Sequence, residues 1–192
     1  TTMSLSTLYD SRDNLANAVK HVVDNNTFLL KYIDKEKDTL GKNSSKLFTL
    51  ACFLRANKRI IKESDLDEND VKFLDAYWQA IFNNIAEWRE LAAKQLHKCS
   101  LREDYILTLS VTLNAFGRLG RYFYENRNEL YLLEHLNDID WTRSNSGWAG
   151  RVIDMQGKIR NNEDAIIKIC NFIKKSIGVK LIKEELLKEQ EI

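Results

Sequence analysis

Proline is absent from this 192-residue chain, and glycine occurs only seven times. At an average usage of about 5% proline, roughly ten prolines would be expected in a chain of this length. Proline breaks helix interiors and punctuates loops, so its absence favours long helices joined by other turn residues. The scarcity of glycine points the same way.

A strong excess of charge and a long apolar run are missing as well. The net charge is +1, so no global field draws the chain to nucleic acid, and any such binding must come from a local patch. No apolar run approaches the length of about 18 residues that a membrane span needs, and no signal peptide is visible. We therefore expect no membrane partner.

Cysteine is scarce too, with three residues that lie far apart: Cys52, Cys99 and Cys170. The count is odd and no CxxC pair occurs, so reduced thiols are the simplest interpretation. We expect a cytoplasmic protein without disulfide bonds.

The common catalytic and nucleotide-binding signatures are missing. The chain has no GxxxxGK[ST], GxGxxG, GxSxG or HExxH motif, so we predict no catalytic residues and no cofactor. The spacing closest to a metal site is His135, Asp138 and Asp140, which could bind a divalent ion in a metal-dependent enzyme. A helix end followed by capping aspartates explains the same residues more simply, and we predict no metal.

Apolar periodicity predicts an all-α fold, an irregular bundle of about six to eight helices around one long central helix at about 71–97. In that central helix, apolar residues from Val71 to Ala92 recur at spacings of three and four, as in a heptad seam. The other predicted helices lie at about 11–25, 44–62, 100–125, 130–136, 151–159, 162–177 and 183–190.

Local signals refine some helix ends. Ser100 and Glu103 match a capping box at the start of the fourth helix. Leu107–Asn114 alternates as a strand would, but the capping box and the lack of a nearby partner strand favour a helix. Ser110, Asn114 and Gly117 then form a small-residue face that allows close approach of another helix. Gly178 lies where the residue that terminates a helix is expected.

A cationic stripe ends the second helix. Arg55, Lys58, Arg59 and Lys62 fall at positions i, i+3, i+4 and i+7, so they share one face and could neutralise several phosphates. The helix dipole and the acidic loop that follows could equally explain these cations. A second acid-free window is interpreted as solvated helix surface; its cations are Lys168, Lys174, Lys175, Lys180 and Lys183.

The least usual segment runs from Asp140 to Arg151. It places two tryptophans, Trp141 and Trp148, in a polar, loop-like stretch with two arginines and Asn145. Trp and Arg together can stack on bases, hold phosphates or anchor a protein interface. Alternatively, both indoles fill the helical core while Arg143 and Arg151 pair with local acids.

Several stretches together resemble one protein family. The chain looks like the C-terminal helical half of DndB, a family associated with bacterial DNA sulfur (phosphorothioate) modification. The resemblance lies in Leu5-Ser6-Thr7-Leu8-Tyr9-Asp10, Leu47-Phe48-Thr49-Leu50, Arg55-Ala56-Asn57-Lys58, Arg102-Glu103-Asp104-Tyr105-Ile106, Ala115-Phe116-Gly117-Arg118-Leu119-Gly120 and the Trp-x-Arg-x-Asn-x-x-Trp-x-Gly-Arg segment from Trp141 to Arg151.

The resemblance implies a DNA-binding regulator of the sulfur-modification genes. In that family the N-terminal half carries an Asp-Gly-Gln-His-Arg motif in a fold similar to ParB and sulfiredoxin, and this motif is absent here. With the unusual opening Thr1-Thr2-Met3, this makes us expect a single helical domain over 1–192, cut from the C-terminal part of a larger protein.

We therefore expect a non-enzymatic, DNA-associated regulatory component of a phosphorothioate modification system. The predicted phosphate contacts are Arg55, Lys58, Arg59, Lys62, Arg143 and Arg151, with Trp141, Asn145 and Trp148 shaping a second site. The alternative is a helical scaffold that docks its own N-terminal half, another sulfur-modification protein or a different partner, because the predicted central helix carries an apolar excess.

Overall fold

The computed structural model describes residues 14–41, 43–62 and 66–192. In these ranges the chain forms nine α-helices, two 3₁₀ helices and two short strands, which confirms the predominantly helical prediction. The elements are α1 (Asn14–Asn25), α2 (Thr27–Tyr32), β1 (Ile33–Asp34), β2 (Phe48–Thr49), α3 (Leu50–Ile60), α4 (Glu68–Asn83), α5 (Ala86–Ala92), α6 (Lys98–Asp104), α7 (Ser110–Glu125), a long 3₁₀ helix (Arg127–Asp138), a short 3₁₀ helix (Ser146–Trp148), α8 (Glu163–Ser176) and α9 (Lys183–Glu189).

Two features predicted from the sequence lie outside the described residues: the stretch Leu5–Asp10 and the helix start at Ser11. Within the described ranges, no helix is long and apolar enough to cross a membrane. The two strands pair in parallel, with Ile33 opposite Phe48. They bring the end of α2 beside the start of α3.

The centre of the bundle is the packed pair α3 and α7. Eight residues of α3 are buried, so it lies between its neighbours rather than on the surface. The small-residue face of α7 allows this contact as predicted. A Cβ added at Gly117 would lie 2.3 Å from the carbonyl oxygen of Ala56, which only glycine avoids.

The predicted long central helix at 71–97 is wrong in its continuity. It is two helices, α4 and α5, separated at Asn84 and Ile85. The Asn84 side chain donates to the Ala80 carbonyl at 3.0 Å, and Ile85 adopts an extended conformation before α5. Asparagine favours such breaks because its side chain competes for backbone hydrogen bonds. Interruptions of this kind also explain why there are more helices than the six to eight expected.

The predicted capping box at Ser100 is also wrong. His97 precedes α6, which ends at Asp104, and α7 begins separately at Ser110. Between them Tyr105 forms an isolated antiparallel bridge with Thr142. In the alternating stretch Leu107–Asn114, residues 107–109 precede α7 and the predicted helix is confirmed from Ser110 onward. A capping box does form elsewhere, between Asp67 and Asp70 at the start of α4.

The C-terminal third follows the predictions more closely, with one exception. Leu130, Leu133 and Leu136 lie on the long 3₁₀ helix, whose period of about three residues matches their spacing. Helix α8 agrees with 162–177 to within one residue at each end, and Gly178 terminates it with a φ of 87°. The predicted helix at 151–159 is wrong, because this stretch forms turns with isolated bridges at Ile153.

Candidate nucleic-acid interface

A concave surface of about 440 Å³ forms where α3, α7 and α8 meet the start of α9. We call this surface the basic groove. Six cationic side chains line it together with three carboxylates, a tyrosine and an isoleucine: Lys58, Arg59, Lys62, Arg118, Arg121, Lys174, Glu125, Glu163, Glu185, Tyr122 and Ile182. Cations therefore outnumber carboxylates in it by two to one.

The end of α3 supplies three of these cations. Lys58 and Lys62 are exposed, whereas Arg59 is partly buried and held in place. Its guanidinium donates to both carboxylate oxygens of Glu163 at 2.8 and 2.7 Å, and its Nε donates to Asn114 at 3.1 Å. The hydrogen bonds from Arg59 hold the pKa of Glu163 below its ordinary value, despite an opposing effect of burial.

Helix α7 supplies Arg118 and Arg121, which the sequence interpretation did not single out as phosphate contacts. Arg121 donates to Glu125 at 2.6 Å and reaches the Ile60 carbonyl at 3.4 Å. The Nε of Arg118 is buried without a hydrogen-bond partner among the described residues, and its terminal Nη2 lies 4.0 Å from the Glu185 carboxylate. The signal that could have found them is Gly117, since its close packing on α3 brings the following turn of α7 to the same side.

Lys174 and Glu185 form a buried ion pair beside the groove. Their side chains are 9% and 4% exposed, and Nζ lies 2.6 Å from the carboxylate. Lys168 is equally buried and contacts Asp164 at 3.0 Å. The interpretation of this lysine window as solvated surface is therefore wrong for Lys168 and Lys174, which pair with acids of α8 and α9.

Arg55 does not line the basic groove, although it belongs to the same predicted stripe. It is exposed and lines a separate cavity of about 270 Å³ that also includes Asp38 and Cys52. The structure thus brings Lys58, Arg59 and Lys62 together and leaves Arg55 on another surface.

Both tryptophans of the 140–151 segment lie in the core. Trp141 is 1% exposed and Trp148 is 0% exposed, and their rings stack with centroids 5.7 Å apart. Their Nε1 groups donate to the carbonyls of Leu136 at 3.3 Å and Asp140 at 3.0 Å. Neither indole is accessible to a base, so this geometry matches the alternative in which the indoles fill the core.

Polar residues of the same segment stabilise it internally. Arg143 donates to the carbonyls of Arg102 at 2.6 Å and Tyr105 at 3.2 Å, at the end of α6. Arg151 donates to Glu189 at 2.7 Å and to the Gly147 carbonyl at 2.9 Å. Neither arginine lines the basic groove. Their assignment as phosphate contacts stays a prediction, which these internal bonds do not favour.

Asn145 closes the short 3₁₀ turn inside the segment. Its side-chain oxygen accepts from the Gly147 amide at 2.9 Å, and its side-chain nitrogen donates to the Asp140 carbonyl at 2.7 Å. These are the bonds of a capping residue. The position of Asn145 is thus explained by the local backbone.

Other residues behind the family resemblance also have structural contacts. Thr49 caps α3 by accepting from the Cys52 amide at 3.1 Å. Asn57 is completely buried; it donates to the Phe53 carbonyl at 2.8 Å and accepts from the Trp78 indole at 2.9 Å. These contacts hold α3 against α4, so the stripe that begins at Lys58 is carried on a rigid support.

The metal-like spacing at the end of the long 3₁₀ helix has a local explanation. His135 Nδ1 lies 3.3 Å from Asp138, and Asp140 accepts from the Thr142 amide at 2.9 Å. Across residues 14–41, 43–62 and 66–192, no group of three or more His, Cys, Asp or Glu side chains is placed to hold a metal ion.

The model of the DndB family, described as DNA-sulfur modification-associated, matches residues 1–180 of the 192-residue chain. No curated protein and no solved structure matches. Every groove residue except Ile182 and Glu185 lies inside the matched range, as does the whole 140–151 segment.

Proposed function

Because this chain belongs to the DndB family, and so takes part in DNA sulfur modification, we propose that it is a non-enzymatic, DNA-associated regulatory component that contacts phosphates through the basic groove. The DNA contact and the regulatory role are the proposed part. The observation that carries the contact is the convergence of six cationic side chains on one concave surface in a chain whose net charge is only +1.

Two features of the groove suit phosphate binding. Lys58 is exposed on the last turn of α3, and Lys62 is exposed two residues beyond the end of that helix. Arg118 has a buried Nε–H group without a partner in the described part of the chain, and an anionic oxygen would satisfy it.

The test is a titration against duplex DNA at about 50 and 200 mM salt, because phosphate-led binding weakens as salt rises. The variant Lys58→Ala/Lys62→Ala should bind roughly tenfold more weakly at the lower salt, and the slope of log K against log[salt] should fall by about two. The matched control is Lys158→Ala/Lys180→Ala, which removes the same charge from exposed sites outside the groove.

Two results would contradict the proposal. One is no DNA binding at the lower salt, or binding that salt does not affect. The other is an equal loss of affinity in both double variants, which would mean that net charge alone matters and that the groove has no special role.

A second candidate function is docking of the family's N-terminal half or of another sulfur-modification protein. The apolar face predicted on the central helix is used inside the fold, since Leu74, Trp78 and Trp88 are completely buried. Helix α9 instead exposes Leu186 and Leu187, and Ile182 beside it is 60% exposed. Calorimetric titration of the chain with the separately purified N-terminal half of the family tests docking to this face, and Leu186→Ser/Leu187→Ser is the variant expected to abolish it.

A further inference from the structure

A second concave surface lies apart from the basic groove and shares no lining residue with it. It encloses about 530 Å³ between the end of α2, the segment before β2, and the turn that joins α5 to α6. We call it the lysine pocket. Ten residues line it: Lys31, Tyr32, Ser45, Lys46, Leu91, Lys94, Gln95, Leu96, His97 and Lys98.

The charge in this pocket differs from that in the basic groove. Four lysines line it, and none of its described lining residues is acidic. Lys46 is oriented by the end of α2, because its Nζ donates to the Lys31 carbonyl at 2.8 Å. An ammonium group has three donors, and Lys46 also donates to the Leu30 carbonyl at 3.4 Å, so it keeps one donor for a ligand. No carboxylate of the lining offsets these charges, and Asp34 outside the lining interacts electrostatically with Lys46.

One lysine is held in an unusual backbone conformation. Lys94 has a φ of 60°, the only non-glycine residue with a positive φ in the described ranges. Such a conformation is unfavourable for a residue that carries a side chain, so the surrounding structure must hold it. The tight turn is closed by hydrogen bonds from the Lys94 amide to the Leu91 carbonyl at 3.1 Å and from the Gln95 amide to the Glu90 carbonyl at 2.8 Å. This turn sets Lys94 at the rim.

The floor of the pocket is apolar. Tyr32 and Leu91 are largely buried there, and the Tyr32 hydroxyl donates to the Leu91 carbonyl at 3.3 Å. Lys31 Nζ lies 5.0 Å from the centre of the Tyr32 ring, so Tyr32 and Leu91 contribute only small exposed parts to the lining. Leu96 covers a further part. A bare phosphate would contact the lysines but leave this floor uncovered, whereas a ligand with a flat apolar body would use both.

His97 adds a directed donor. Its Nδ1 accepts from the Cys99 amide at 3.3 Å, which assigns the proton of the neutral ring to Nε2. The imidazole therefore offers an N–H group to an anionic oxygen while its other nitrogen is occupied by the backbone.

From these features we propose that the lysine pocket binds a nucleoside phosphate, with the base on the floor of Tyr32, Leu91 and Leu96 and the phosphate against Lys94, Lys98 and His97. The volume lies within the range of about 300–1,000 Å³ that is typical of small-molecule sites. The ligand is either a free mononucleotide or the terminal nucleotide of a DNA strand, since both present the same chemistry.

The test is calorimetric titration of the whole chain with four probes: a deoxynucleoside 5′-monophosphate, the matching nucleoside, inorganic phosphate, and a short 5′-phosphorylated single strand. The test variant is Lys94→Asn/Lys98→Gln. Asparagine tolerates the left-handed conformation, so this variant removes charge while preserving the turn. The control is Lys58→Ala/Lys62→Ala, which alters only the basic groove. Circular dichroism and melting of both variants check their folding.

We expect the mononucleotide to bind at least tenfold more tightly than phosphate or nucleoside alone. The pocket variant should lose at least tenfold in affinity, and the groove variant should lose nothing. Tighter binding of the single strand than of the mononucleotide would identify a DNA end as the source, and equal or weaker binding would identify a free nucleotide. The proposal is overturned by no nucleotide binding at millimolar concentration, by affinity equal to that of phosphate, or by a folded pocket variant that binds normally.

Loss of duplex binding in the groove variant has no bearing on this outcome. The two sites share no lining residue, so each proposal can fail without the other.

Discussion

The end of α3 and the 140–151 segment both carry arginine beside residues that suit nucleic-acid binding, yet the fold treats them in opposite ways. At the end of α3, Lys58 and Lys62 remain at the surface of a concave region. In the 140–151 segment, Trp141 and Trp148 are buried and Arg151 is 13% exposed at its side chain. A stretch of sequence that combines cations with aromatic rings therefore fits either a binding surface or part of the core. Only the burial of its side chains distinguishes the two.

The largest expected effect is a loss of stability when a buried tryptophan of the 140–151 segment is removed. Trp148→Ala should lower the free energy of unfolding by about 3–5 kcal/mol, because it empties the volume between Trp141 and Phe172. Urea denaturation measures this loss. Lys58→Ala/Lys62→Ala should change the same quantity by only about 0.5 kcal/mol, as exposed substitutions usually do. A Trp148→Ala protein with full stability but no DNA binding would reverse the assignment of the segment.

Removing Arg151 should have a smaller effect. Arg151→Met keeps the aliphatic packing but leaves Glu189, which is 11% exposed, without its closest cation. We expect a loss of about 2 kcal/mol in the free energy of unfolding, as for a charged hydrogen bond at a largely buried site. A double-mutant cycle with Glu189→Gln measures the coupling between the two side chains.

The same variant decides whether Arg151 also contacts DNA. Its duplex affinity, measured well below its melting temperature, should equal that of the unmodified chain. A loss of affinity together with a smaller salt slope would restore Arg151 as a phosphate contact and weaken the distinction between the two regions.

The smallest effect concerns the carboxylate that pairs with Arg59. Because Arg59 lowers the pKa of Glu163, the ion pair stabilises the fold above the unfolded pKa of about 4.3 and loses this contribution as pH falls through the lower folded value. The stability difference between Glu163→Gln and the unmodified chain should therefore be present at pH 7 and vanish in acid. Denaturation at a series of pH values measures it.

Glu163→Gln also probes the groove. It removes a carboxylate that competes with phosphate for Arg59, so duplex affinity at pH 7 should rise by a factor of about two to five. The matched control is Glu68→Gln, an exposed carboxylate that pairs with Lys72 outside the groove. A similar rise in the control would indicate a general charge effect.

Helix positions were largely predictable because the signals that set them are local. The predicted helix at 162–177 agrees with α8 to within one residue at each end. Gly178 has the positive φ that the end of this helix requires. The break at Asn84 was missed because the apolar seam continues across it, with Ile81, Ile85 and Trp88 all buried. Apolar periodicity indicates which residues face the core. A break between two helices that keeps the same face towards the core does not change this periodicity, so the pattern alone does not reveal the break.

The site was predictable only in part. Lys58, Arg59 and Lys62 share a helix face by spacing alone, and the structure places them in one groove. Arg118, Arg121 and Lys174 join them from α7 and α8, at least 56 positions further along the chain, and no local pattern reports such proximity. Local spacing also grouped Arg55 with the stripe, but packing at α3 leaves it on another surface.

The sequence by itself determined the helical class, the ends of several helices and the close approach at Gly117, because periodicity, capping and the lack of a Cβ act over a few residues. Only the tertiary structure decided which charged residues are buried. In α9, Glu185 faces inward to Lys174 while Leu186 and Leu187 face solvent. The physical reason is that a charge can be buried where a partner of opposite sign lies within a few ångströms, and that partner is supplied by the fold.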